Sequence, residues 1–289
     1  MVTSNFDYFA PTTLDEATSL LSRYRGEAKV LAGGHSLIPM MKLRLAEPTV
    51  LVDIGKIDGL SYVREDGDGV AIGSMTTYRE LETSSLVKSR YPLLADAASK
   101  VADLQVRNRG TIGGSLAHSD PAGDLPAVVL AIGGSVVART RRSSREISID
   151  RFQVDLLTTA LHDNEIITEI KLPALPSGTG TAYSKFHNPA SHYAITGVAA
   201  VITVSGGTCT EARIAVTGAG DKATRARRTE RILKGKELTP AVIRRAASRA
   251  AAEVQDTLND DIFASAEYRT HLTQVHAQRA IEEAAAAAG

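Results

Sequence analysis

The residue pattern points to an α+β fold, on three grounds. Within the first 54 residues strand-like and helix-like segments alternate, as they do in an α/β unit. From Gly69 onward the texture changes to short apolar runs, helices and a second glycine pair. Beyond a stretch rich in Pro and Gly, two long β-like runs flank Ser205-Gly206-Gly207 and then give way to helices.

Each element has its own warrant. Phe6 and Tyr8 bracket a short strand. Thr13-Leu14-Asp15-Glu16 reads as a capping box with Pro11 just upstream. The helix it opens sets Leu14, Ala17, Leu20, Leu21 and Tyr24 on one face and stops near Gly26. A strand from Ala28 to Ala32 runs into Gly33-Gly34. A short helix around Leu37 to Leu45 follows, and Pro48 precedes the apolar strand Thr49 to Ile54. Val70-Ala71-Ile72 is a short strand, Thr76-Thr77 opens a helix through Leu81, and another helix covers Pro92 to Ala102. Gly110-Thr111-Ile112-Gly113-Gly114-Ser115 reads as a second glycine-rich turn. Val128 to Val137, Glu146 to Ile149 and Glu165 to Leu172 are strands or short helices.

Pro173 to Gly180 has the composition of a linker, which divides the chain into domains 1–176 and 177–289. Ala194 to Val204 and Cys209 to Thr217 then form a hairpin. Helices follow over Pro240 to Val254 and Ala264 to Ala288. Tyr268, Leu272, Val275 and Ile281 share a face of the last one, and its Ala284 to Ala288 run reads as a fraying end.

Composition removes several function classes. Lys+Arg and Asp+Glu both number 33, so the excess of basic charge that a nucleic-acid binder needs is missing. The single cysteine, Cys209, excludes an internal disulfide, a cysteine-ligated iron–sulfur cluster and a zinc ribbon. It reads as small buried filler. No window approaches a membrane span and no signal peptide opens the sequence, so the expected location is the cytoplasm.

Two glycine pairs are the candidate chemistry. Ala32-Gly33-Gly34-His35-Ser36 leaves a strand and enters a helix, and Thr111-Ile112-Gly113-Gly114-Ser115 has the same shape. Glycines let consecutive N–H groups turn toward an anion, and the hydroxyls of Ser36, Thr111 and Ser115 add donors for phosphate oxygens. One pair is a tight turn more often than a site; two within one domain point to a nucleotide pyrophosphate. Gly218-Ala219-Gly220-Asp221-Lys222-Ala223 mimics a dinucleotide fingerprint, but no apolar strand ending in an acid follows, so it reads as a turn. Lys234-Gly235-Lys236-Glu237 lacks the hydroxyl and upstream glycine of a phosphate loop. His118-Ser119-Asp120 cannot form a catalytic relay between adjacent residues. The run Arg225-Ala226-Arg227-Arg228 reads as a solvated or subunit-facing surface.

Five stretches together resemble the FAD domain of the molybdenum hydroxylases, the family of carbon monoxide dehydrogenase medium subunits and bacterial xanthine and nicotine dehydrogenases. They are Leu31-Ala32-Gly33-Gly34-His35-Ser36-Leu37-Ile38-Pro39, Gly73-Ser74-Met75-Thr76-Thr77, Gly110 to Ser115, Asp120-Pro121-Ala122-Gly123-Asp124-Leu125-Pro126-Ala127 and Tyr183-Ser184-Lys185-Phe186. Ala266-Glu267-Tyr268-Arg269 adds a tail pattern, and the order matches along the whole chain. The resemblance implies a vanillyl-alcohol-oxidase-like FAD domain, with a small parallel part and a larger antiparallel part, and a C-terminal three-stranded sheet with helices. It further implies that Lys29, Val30, Leu31, Ala32, Gly33, Gly34, His35 and Ser36, with Thr111, Ile112, Gly113, Gly114 and Ser115, hold the pyrophosphate of a non-covalent FAD. Val101 and Ile167 would touch the cofactor through backbone and apolar atoms. Asp124 would accept from a cofactor hydroxyl, Lys185 would lie near the flavin, and Tyr193 would pack on the isoalloxazine. Ser115 stands where the family often has Asn, and Ser191-His192 precede Tyr193 where it often has an acid.

By the same resemblance the chain is an oxidoreductase component with no catalytic residue or metal of its own. It would sit in a dimer of heterotrimers with a large subunit carrying the molybdenum cofactor and a small subunit carrying 2Fe-2S clusters. Its acceptor would be a quinone, NAD or oxygen, and aerobic carbon monoxide dehydrogenase is the match the residues favour. A xanthine- or nicotine-dehydrogenase-like enzyme, a stand-alone FAD oxidase and a nucleotide-binding assembly module remain as alternatives.

Overall fold

The computed structural model describes residues 2–288. Its first unit comprises β1 (Asp7–Phe9), α1 (Leu14–Arg23), β2 (Ala28–Leu31), α2 (Leu37–Lys42) and β3 (Val50–Asp53). The strands lie in the order β1-β3-β2, all parallel. α1 buries Ala17 and Leu21 against Val50 and Val52. Thr13 caps it by accepting the Glu16 N–H at 3.2 Å, while the Glu16 carboxylate takes the N–H of Thr12. The expected capping box is thus displaced by one residue on its acidic side.

The second unit runs through β4 (Val63–Asp66), β5 (Gly69–Gly73), α3 (Tyr78–Thr83), α4 (Ser85–Arg90), α5 (Pro92–Ser99), α6 (Leu104–Arg107), α7 (Ile112–His118) and α8 (Asp124–Ile132). It continues with β6 (Ser135–Arg139), β7 (Ser144–Ser148), a small hairpin of β8 (Gln153–Asp155) and β9 (Thr158–Thr159), and β10 (Ile166–Leu172). Its sheet has the order β4-β5-β10-β6-β7 and is antiparallel throughout. Two expectations are corrected here. The second glycine pair is not a turn: it lies in the first turn of α7, which Thr111 caps. The run Val128 to Val137 is half helix and half strand, divided where Gly133 adopts φ +92° and closes α8. That left-handed backbone is one that glycine adopts without steric cost.

The third unit holds β11 (Thr179–His187), β12 (Ala194–Ser205), β13 (Thr208–Thr217), β14 (Thr224–Arg225), α9 (Arg227–Leu233), α10 (Pro240–Ala247) and α11 (Ala266–Ala288). The hairpin turns at Gly206 and Gly207, both with positive φ, as the sequence indicates. The sheet order is β11-β12-β13-β14, so a two-residue fourth strand joins the three expected.

α10 is shorter than its alanine-rich sequence implies. Beyond Ala247 the N–H groups of Arg249, Ala250, Ala252 and Val254 bond three residues back, a tighter winding. The buried face of α11 is Arg269, Leu272, Thr273, His276, Ala277, Ala280, Ile281 and Ala284, without Tyr268 or Val275. Nor does its alanine run fray. A Cβ on Gly180 would stand 2.0 Å from the carbonyl oxygen of Ala284, so the helix backbone lies directly on β11 where a side chain is missing.

α8 ties the second and third units together. All nine of its residues are buried, and seven of them share one apolar core with Tyr183, Ala199, Val201 and Ala215 of the third unit. At its C-terminal end Arg213 of β13 donates to the carbonyls of Leu130 (2.8 Å) and Ala131 (2.9 Å). A cation there satisfies acceptors left free by the helix and opposes its dipole.

Candidate cofactor site

The first glycine loop leaves β2 at Leu31. Gly34 takes φ +79°, and the N–H groups of Gly33, Gly34, His35 and Ser36 donate to no acceptor among the described residues. Consecutive unpartnered amides around a left-handed residue form a concavity suited to an anion. The loop is wedged in place from behind. A Cβ on Gly33 would stand 2.1 Å from the Arg109 carbonyl oxygen, so only glycine lets it approach the segment leading into α7.

That second segment works differently from the first. The N–H of Ile112 donates to Thr76 O (3.0 Å) and that of Gly113 to Ser74 O (2.9 Å). The N–H of Gly114 goes to Thr111 Oγ1 (3.1 Å). Its amides are therefore engaged internally. Gly113 is required by packing: a Cβ there would meet the Cβ and carbonyl oxygen of Ser74, each at 2.6 Å. Gly114 has ordinary φ and stands opposite the first loop, its Cβ position 3.8 Å from that of Ala32. Ser115 lies beside the Tyr78 phenol, which burial pushes up to about 12.

Asp124, the first residue of α8, is buried. Tyr183 donates to its Oδ1 at 2.5 Å and Lys185 to its Oδ2 at 2.8 Å. The Lys185 ammonium also donates to Lys100 O at 3.1 Å. Burial pushes the Asp124 carboxyl up, while Lys185 and Tyr183 favour its charged form. The ion pair is almost fully enclosed, with side-chain exposures of 4% and 5%.

The loop after β11 closes the arrangement. Asn188 accepts the N–H groups of Ala190 and Ser191 on its side chain, and His192 takes φ +60°. The His192 ring reaches the Ala102 carbonyl at 3.2 Å, and Tyr193 stands beside Ser36. This one loop spans the two halves of the site.

The structure brings most of the implied residues together. Ala32 to Ser36 face Thr111 to Ser115; Asp124 and Lys185 pair with each other and Lys185 reaches the carbonyl of Lys100, one residue before Val101, and Tyr193 stands beside Ser36. Ile167 is buried in β10, one residue before Thr168, whose carbonyl accepts from Ser74. Lys29 to Leu31 lie within β2, paired on one edge with β3; they carry the chain to the loop.

Sequence reasoning missed Tyr183, Lys100, Tyr78 and Ser74. Tyr183 carries a signal, since residues two apart on a strand share a face and Lys185 is among the implied residues. Ser74 lies in one of the stretches that carry the resemblance; its buried Oγ has no partner among the described residues, and its Cβ and carbonyl oxygen stand against Gly113.

The decoys resolve. Around Gly218-Ala219-Gly220, Asn259 and Arg269 donate to the carbonyls of Gly218 and Gly220, so the loop presents acceptors and suits no phosphate. Arg225 and Arg227 close onto Asp150. Cys209 is buried.

The comparisons agree with this geometry. The family described as the FAD binding domain in molybdopterin dehydrogenase matches residues 4–175. The carbon monoxide dehydrogenase flavoprotein C-terminal domain matches residues 181–284. The chain belongs to this family: it is an FAD-binding oxidoreductase subunit of the molybdenum hydroxylases. It is 40% identical to the carbon monoxide dehydrogenase medium chain of Hydrogenophaga pseudoflava, over 98% of both chains. It is also 40% identical to the nicotine 6-hydroxylase medium subunit of Paenarthrobacter nicotinovorans, over 96% of this chain and 97% of that one. Among solved structures, it matches carbon monoxide dehydrogenase from Hydrogenophaga pseudoflava lacking the Mo-pyranopterin moiety of its molybdenum cofactor. That match has a TM-score of 0.96 and 42% identity over 99% of each chain. Among the described residues no helix is long and apolar enough to cross a membrane.

Proposed function

We propose that this chain is the FAD subunit of an aerobic carbon monoxide dehydrogenase. In this reading domain 1–176 holds FAD non-covalently and domain 177–289 braces it. Electrons come from the 2Fe-2S clusters of a small subunit and leave to a quinone, NAD or oxygen. A large subunit carries the molybdenum cofactor and oxidises the substrate, and the complex is a cytoplasmic heterohexamer, a dimer of heterotrimers. The observation that carries the reading is the row of four N–H groups from Gly33 to Ser36 without partners among the described residues, on a loop packed against the segment that leads into α7. FAD, when bound, supplies the exchange between single-electron donors and a two-electron acceptor.

The chain's own part is to hold and orient. Gly33 to Ser36 would donate to the pyrophosphate, while Gly113 lets α7 lie against Ser74, from where Thr111 and Ser115 would join them. Asp124 retains free lone pairs for a cofactor hydroxyl after accepting from Tyr183 and Lys185. Lys185 would set a positive charge beside the flavin, Tyr193 would pack on its ring, and Val101 and Ile167 would touch the cofactor through backbone and apolar atoms.

A nitrogen heterocycle is the second reading for the partner's substrate. It is favoured by equal identity, 40%, to the nicotine 6-hydroxylase medium subunit. Purification of the native complex tests both. Molybdenum, iron and flavin should co-purify, with flavin bleaching by carbon monoxide; bleaching by nicotine alone selects the second reading. A flavin complex without molybdenum or iron refutes both and restores the stand-alone oxidase.

A further inference from the structure

We infer that Tyr183 is a positioning residue of the cofactor site: its hydroxyl fixes the Asp124 carboxylate, and through it the Lys185 ammonium, where FAD is held. The inference rests on the proposed FAD site and adds a residue to it. Tyr183 and Lys185 are two apart on β11, so both point to the same face and grip the two oxygens of one carboxylate, at 2.5 and 2.8 Å. A cation alone leaves a carboxylate free to turn about its last torsion; a second donor on the other oxygen removes that freedom.

The neighbourhood is shaped around this hydroxyl. Across the sheet on β12, Gly197 faces it, and a Cβ there would stand 2.5 Å from the Tyr183 oxygen. Lys100 donates to the Tyr183 carbonyl at 2.9 Å and lies over its ring at 5.8 Å. The Lys185 ammonium in turn donates to the Lys100 carbonyl. The residues form a closed circuit in which, among the described residues, the phenol is the only neutral donor to the Asp124 carboxylate. Removing its oxygen leaves the buried ion pair intact but unoriented. The expected consequence lies in cofactor binding and potential rather than in the fold.

The test uses the full chain in its complex, depleted of FAD and titrated back, with thermal melting of the depleted form and a redox titration of the loaded form. Tyr183→Phe should weaken FAD binding about tenfold, the effect of one charge-assisted hydrogen bond. It should also shift the flavin potential, with little change in the melting of the depleted protein. In an Asp124→Asn background the same change should add less than about twofold, because its route is already cut. Lower melting with unchanged FAD affinity and potential would make Tyr183 a packing residue and overturn the inference. A full tenfold loss in the Asp124→Asn background would overturn it too, since Tyr183 would then act by another route. If neither Asp124→Asn nor Lys185→Met alters FAD affinity or potential, the site assignment itself fails and takes the inference with it.

Discussion

Gly33→Ala isolates the close approach on which the site depends. Gly33 has an ordinary φ, so alanine meets no backbone barrier and the effect is purely one of space. The new Cβ would stand 2.1 Å from the Arg109 carbonyl oxygen, 2.9 Å from its carbon and 3.0 Å from Gly110 Cα. All three are backbone atoms, so no rotamer can yield, and ordinary contact requires that the two segments part by roughly 1 Å. A hydrogen bond of about 2.9 Å stretched by that much is no longer a bond. Losing two amide bonds to a charged phosphate costs about 3 kcal/mol or more, a factor of about 100 in FAD affinity. The strain on the fold itself should be about 1–3 kcal/mol.

The measurements are FAD titration of the depleted complex and thermal melting with and without FAD. Gly114→Ala is the comparison, since its Cβ meets only a side-chain hydroxyl, Thr111 Oγ1 at 2.8 Å, and Ala32 Cβ at 3.8 Å. It should lose far less affinity than Gly33→Ala. A soluble Gly33→Ala protein with native FAD affinity would refute the reasoning.

Four further outcomes are expected. Asp124→Ala should weaken FAD binding by about 1–3 kcal/mol; an unchanged titration removes Asp124 from the site. FAD should be released by acid precipitation, leaving a yellow supernatant, because Cys209 is buried in the third unit and His35 belongs to the pyrophosphate loop; a yellow pellet contradicts this. Burial, with Arg279 nearby, holds the His276 imidazole down to about 4. Since the unfolded chain binds that proton first, His276 adds stability above about pH 6.5 that is lost as pH falls toward 4. The loss should be about 1–3 kcal/mol, and a His276→Phe protein with the same melting difference between pH 7 and pH 5 would exclude it. Finally, the chain alone should be inert toward carbon monoxide and heterocycles, with activity returning only beside molybdenum and iron–sulfur partners; substrate-dependent bleaching in the isolated chain would end the relay reading.

The parts of the fold that could be read in the sequence are those with local causes. Thr13, Thr77 and Thr239 cap helices through their own hydroxyls, and Gly206-Gly207 turns the hairpin by itself. What could not be read depends on neighbours distant in sequence. α8 is buried on every side, so it shows no amphipathic period and its apolar run is indistinguishable from a strand. The second glycine pair resembles the first because both need backbone approach, yet Gly113 makes room for Ser74 and Gly33 for Arg109. Only tertiary contacts separate a cradle from a packing contact. The face of α11 is only half legible: Leu272 and Ile281 lie on it as the pattern indicates, but the rest of it is Ala, Thr, His and Arg, while Tyr268 and Val275 lie off it.

The asymmetry between the two glycine segments bears on how the site holds its shape. In α7 the amides of Ile112, Gly113 and Gly114 are satisfied within the protein, so that segment keeps its geometry with or without a ligand. In the first loop the amides from Gly33 to Ser36 have no partner among the described residues, so a ligand or water must complete them. The rigid segment therefore sets the position and the open loop supplies the donors. Their separation is fixed by the Gly33–Arg109 contact, while α8, gripped at Asp124 by β11 and at Leu130 and Ala131 by Arg213, fixes the Lys185 end. A cofactor as long as FAD needs its two ends held in register. In the proposed site one register would be set by a glycine contact and the other by a buried helix clamped at both termini. A change in the clamp should thus disturb the flavin end before the phosphate end, and a change at Gly33 the reverse.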